Sequence, residues 1–167
     1  MCHLITFATI RPLNELKPPL GIDVKSFKNR GGGHVYDEGL YLYEVSDYGC
    51  GCELFYPYDG YDTLEEYLEN TKTDLESGRS NHSVSLAIND AQSVFSEALP
   101  LRKSLEEFFI KIATDIGKMQ FIVHYHSGAI DTEWFDLSRV ETIEVSPGYH
   151  FEALETDVKY VLLGGKS

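Results

Sequence analysis

The run Leu101 to His126, LRKSLEEFFIKIATDIGKMQFIVHYH, decides the fold class because its hydrophobic period changes at Gly117. Before that glycine, Leu101, Leu105, Phe108, Ile112 and Ile116 recur at three- and four-residue steps, the spacing that lines one face of an α-helix. Beyond it, Met119, Phe121, Val123 and Tyr125 alternate with Gln120, Ile122, His124 and His126, so the segment reads as a strand. Helix and strand are therefore both present.

Upstream of this run, Asn89 or Asp90 can cap a helix through Leu99. Pro100 is expected either to kink that helix or to open the next one at its first turn. Further back, Asp62 and Thr63 precede Leu64-Glu65-Glu66, and Thr63 with Glu66 makes a capping box. Leu64, Tyr67, Leu68, Thr71 and Leu75 then form one inward stripe ending near Gly78. Leu4 to Ile10, LITFATI, is apolar and partly β-branched and reads as a first strand. Between His34 and Tyr58 the β-favouring residues read as strand, a Gly49-Cys50-Gly51-Cys52 turn, then a short strand. Glu133 to Leu137 and Val140 to Val145 look like further strands, whereas Tyr149 to Leu163 fits helix or strand. Arg11 to Arg30 gives no clear reading, and its Gly31-Gly32-Gly33 neighbour lacks the Lys-Ser/Thr of a phosphate-binding loop. No repeat or low-complexity linker divides the chain, so residues 1–167 are expected to form a single α+β domain. The expected architecture is a mostly antiparallel sheet with two central helices packed on one face.

Composition narrows the function. At 43% hydrophobic and 25% charged residues the chain has the make-up of a globular protein rather than a disordered one. Its net charge of −13 argues against wrapping a nucleic-acid backbone or lying on an anionic membrane. Leu4 to Ile10 has no Lys or Arg ahead of it and no stretch approaches a bilayer-spanning length, so a cytoplasmic location is expected. None of Gly-x-Ser-x-Gly, His-Glu-x-x-His or a dinucleotide fingerprint occurs, which weighs against an enzyme.

The three cysteines fall in two places, Cys2-His3 and Cys50-Gly51-Cys52. Three thiols and one imidazole are the donor set of a Cys₃His zinc site, and zinc is the expected cofactor if the two segments meet. Cys2 and His3 are adjacent, so both can bind one ion only if residues 1 to 3 are irregular rather than extended. Other readings stay open. Cys2 can be a small core residue, Cys50 and Cys52 can form a strained small-ring disulfide, and a processed Cys2 amine can act as the base of an N-terminal nucleophile. His124 and His126 share one strand face, where they can hold a metal with Asp131 or Glu133 or simply pack beside Ile122.

Met1-Cys2-His3-Leu4-Ile5-Thr6 leading into a strand, with the later Cys50-Gly51-Cys52, resembles a group of small bacterial proteins that open Met-Cys-His and carry a downstream Cys-x-Cys. The resemblance implies that Cys2, His3, Cys50 and Cys52 belong to one site, and it brings no activity with it.

Charge and tyrosine coincide in a second feature. Residues 37–76 hold twelve acidic side chains against one basic, and eight of the eleven tyrosines lie between Tyr36 and Tyr67. Tyrosine is enriched at protein interfaces and a surface of one sign steers partners of the other. The alternative function is therefore an acidic binding module that neutralises a basic protein, as immunity and inhibitor proteins do, with Tyr41, Tyr43, Tyr48, Tyr56 and Tyr58 at its surface. The competing account makes the tyrosines part of the sheet and the carboxylates its solvated side.

Overall fold

A computed structural model describes residues 2–13, 17–27, 35–46, 64–77, 84–126, 136–151 and 154–165. The alternating segments become β1 (Cys2–Thr9), β2 (Asp23–Phe27), β3 (Tyr41–Ser46), β4 (Lys118–His126), β5 (Arg139–Val145) and β6 (Val158–Gly164). The helices are α1 (Leu64–Glu76) and α2 (Val84–Ile116). Six strands make one sheet in the order β2-β3-β1-β4-β6-β5. All neighbours are antiparallel except β5 and β6, which run parallel. The chain is thus an α+β protein with a mixed sheet.

The periods read from the sequence sort the core as expected. Phe7 of β1 pairs with Phe121 of β4, and these two, with Ile5, Val123 and Met119, join one buried cluster with Phe108, Phe109 and Ile112 of α2. Phe109 lies between two stacked pairs: its ring centroid is 5.3 Å from Phe7, which stacks on Tyr43, and 5.1 Å from Phe121, which stacks on Tyr160. At the end of α2, Gly117 takes φ +90 and its N–H bonds the Ala113 carbonyl, so the helix stops within one residue of β4. The positive φ explains the glycine.

One expectation changes. Pro100 lies inside α2, which runs unbroken from Val84 to Ile116, so there is no second helix start. A proline deletes one helical hydrogen bond; Pro100 is exposed, and the residues that follow it, Leu105, Phe108, Phe109 and Ile112, join the core against the sheet. Among the described residues α2 packs against β4, β5 and β6, and α1 packs against α2. β2 is a strand that the sequence did not announce, because as an edge strand with an irregular burial pattern it carries no clean alternation.

The other sheet face is covered differently. Ala8, Leu42 and Ile122 meet Val35 and Tyr36 in a second buried cluster, so residues 35–40 lie across the sheet instead of extending β3. The Tyr36 hydroxyl is 2.6 Å from Thr6 Oγ1, and burial pushes its phenol pKa up. Gln120 Nε2 donates to Asp37 Oδ2 at 2.5 Å, and Lys159 Nζ donates to the Val35 carbonyl at 2.9 Å. Among the described residues no helix is long and apolar enough to cross a membrane.

Candidate functional site

Strand alternation distributes the chemistry-bearing residues of β1 and β4 between the two faces. In the β1–β4 ladder Cys2 is the partner of His126, His3 of Tyr125, and Leu4 of His124. The row that contains Thr6 and Ile122 belongs to the face away from α2, and two-residue steps from it reach Leu4 and His124, then Cys2 and His126. β1 is extended from Cys2, so Cys2 and His3 occupy consecutive strand positions that alternate between faces. The backbone at residues 2 and 3 is extended.

His124 is buried at 7% exposure. Its Nδ1 lies 2.5 Å from Asp157 Oδ1, so the carboxylate accepts a hydrogen bond from the ring. The contact follows from register: Ile122 of β4 pairs with Lys159 of β6, and two residues along the antiparallel ladder His124 comes level with residue 157. Asp157 adopts φ 59, a conformation that residues other than glycine rarely take. Its N–H donates to the Val123 carbonyl at 2.8 Å, and its own carbonyl accepts from Ser138 N at 2.7 Å. These bonds hold the turn that aims the carboxylate.

β3 runs antiparallel to β1 and ends at Ser46, beside the start of β1. Cys50 is four residues further along the chain, a distance that spans at most about 14 Å. Cys50 and Cys52 themselves lie outside the described residues, as do Tyr48, Tyr56 and Tyr58. No group of three or more potential metal ligands occurs among the described residues.

Two tyrosines expected at a binding surface are described, and they part ways. Tyr41 is 47% exposed. Tyr43 is a correction: it is buried at 9%, stacks on Phe7, and its hydroxyl accepts a hydrogen bond from Leu13 N. Alternation turns Tyr41, Tyr43 and Val45 to the same face, toward α2; Tyr41 differs because it is the first residue of β3. Tyr36, another of the acidic segment's tyrosines, is buried as well.

A separate cavity of about 390 Å³ lies between α2 and the Pro147–His150 turn, lined by Ile110, Thr114 and Tyr149 among others. Its Lys111 and Asp115 pair with each other at 2.8 Å, and it sits by the α2 end that leads into the start of β4, far along the strand from His126.

The architecture defines the chain as an α+β protein. Comparison with known protein families, curated proteins and solved structures finds no match.

Proposed function

We propose that the protein is a metal-binding domain that holds one zinc ion where β1 begins and β3 and β4 end. The observation that carries this reading is the β1–β4 register, which makes Cys2 the direct ladder partner of His126 and the diagonal neighbour of His124. Directly opposed Cβ atoms in such a ladder are about 5 Å apart. Zinc bonds sulfur at about 2.3 Å and imidazole nitrogen at about 2.0–2.1 Å, so ligands at that spacing share one ion without distorting the sheet. Cys50 and Cys52 supply the remaining thiolates, their chain leaving the sheet at the same end. The imidazole comes from β4; His3 stands at the alternate position.

Three thiolates and one imidazole close the tetrahedron, so the ion is structural and ties the start of β1 to the Gly49–Cys52 segment. Metal analysis of the full chain, purified without a His-tag, tests the reading. About one equivalent of zinc is expected, with loss in Cys2→Ser and Cys50→Ser, and chelation should lower the melting temperature. Less than about a tenth of an equivalent overturns it.

A further inference from the structure

We propose that the cavity of about 390 Å³ between α2 and the Pro147–Gly148 turn is a binding site for a small organic cation with an apolar body the size of a phenyl ring. Its volume falls within the range of small-molecule sites, which combine apolar walls with a few placed polar groups. The helix wall is aliphatic. Ile110 is buried at 5% exposure, and the Thr114 hydroxyl already donates to the Ile110 carbonyl at 2.8 Å. The facing wall is held by its own turn. Tyr149 N donates to the Ser146 carbonyl at 3.0 Å, Pro147 follows Ser146, and Gly148 takes φ 87, the pattern of a type II turn. The Tyr149 ring packs edge-on against Phe151 at 5.3 Å, and Phe151 against Phe121 of the core at 5.7 Å. Both walls are therefore fixed before a ligand arrives.

Charge at the rim selects the ligand. At one end Lys111 is held by Asp115 at 2.8 Å, and Arg11 donates to the Asp115 backbone carbonyl at 3.2 Å, so the groups there are already matched. One helical turn before Lys111, Glu107 also lines the cavity; it is exposed and, among the described residues, makes no hydrogen bond or ion pair. Its neighbour Glu106 pairs with Arg102 at 3.3 Å, and the two glutamates repel each other. An unmatched carboxylate beside aliphatic and aromatic surface suits an ammonium carried on a hydrocarbon body. The body displaces water from Ile110 and Tyr149, and the ammonium donates to Glu107. An anionic ligand would meet Glu107 and the field of a chain with net charge −13.

Amide NMR of the full chain, titrated with phenethylammonium, tests the site. Saturable shifts of the Thr114, Gly148 and Tyr149 amides are expected, with a Kd on the order of 1 mM for so small a ligand. Phenethyl alcohol and hydrocinnamate, the neutral and anionic counterparts, should bind about tenfold more weakly or less. Glu107→Gln keeps the helix surface and removes the charge. It should weaken phenethylammonium about tenfold and leave phenethyl alcohol unchanged, a split that a general disturbance of the fold would not produce. Thr114→Phe fills the cavity and should abolish binding of both compounds, with its melting temperature reporting whether the fold is kept. The proposal is overturned if no saturable shift occurs at these amides up to about 20 mM phenethylammonium. Equal affinity for the three compounds, or wild-type binding by Glu107→Gln, overturns it as well.

Discussion

Asp37 fastens residues 35–40 to the sheet. Gln120, buried at 1% exposure, donates its Nε2 to this carboxylate, and Lys118 and Lys159 approach it at 3.4 and 3.3 Å. The Gln120 hydrogen bond, reinforced by Lys159 and Lys118, holds the Asp37 carboxyl below its ordinary 3.8. Asp37→Ala leaves a buried amide donor unmet, and a loss of about 1–3 kcal/mol in urea denaturation is expected. The sign of the pH dependence follows from the lowered value. The ionised carboxylate contributes fully above the unfolded value of 3.8, and its contribution disappears as pH falls through the lower folded value. The difference between wild type and Asp37→Asn should therefore be constant near neutrality and close in strong acid; a gap that widens on acidification would contradict this account. Gln120 was legible as a position on the second face of β4, but its burial was not, because residues 35–40 were read as strand and not as a cover.

Among the elements, α2 decides how the layers sit. Phe109 is buried at 3%, and full burial of such a side chain contributes about 1.5–3 kcal/mol. Helix and sheet approach closely at Gly164 of β6, where an added Cβ would overlap the Ala113 carbonyl and come within 2.7 Å of Thr114 Cα. Both obstacles are backbone, so they cannot rotate aside. Gly164→Ala must push α2 off β6, and thermal unfolding should report a loss of about 1–3 kcal/mol or more. A variant as stable as the wild type would mean that α2 rides higher than described. The helix and β4 were both legible because each repeats its period over several turns or pairs. The continuity through Pro100 was not, since a proline reports only a missing donor, and the remaining helical residues outvote it.

At the scale of the molecule the charge of −13 opposes compaction. Paired groups such as Arg139, whose guanidinium bonds Glu155 through two nitrogens and Glu141 through a third, offset this only locally. Salt screens the net repulsion over about 10 Å at 0.1 M, so the melting temperature should rise between about 0.01 and 0.15 M sodium chloride. A fall would show that attractive pairs outweigh the net charge. The acidic segment also carries the tyrosines from which a partner surface was expected, and burial of Tyr36 and Tyr43 assigns two of them to the core. Residue type announced aromatic area there; whether that area meets a partner or the core depends on which layer lies over each strand face.

The sequence by itself determined the α+β class, the helix-to-strand change at Gly117 and the two faces of β4, because each is a local period that backbone geometry imposes. It also marked Cys2, His3, Cys50 and Cys52 as the thiol and imidazole positions worth following. Only the tertiary structure decided that Cys2 stands across from His126, that β3 ends beside it, and that Asp157 meets His124 from 33 residues away. Strand register is set by which distant segments pack together, and no short-range pattern along the chain encodes it.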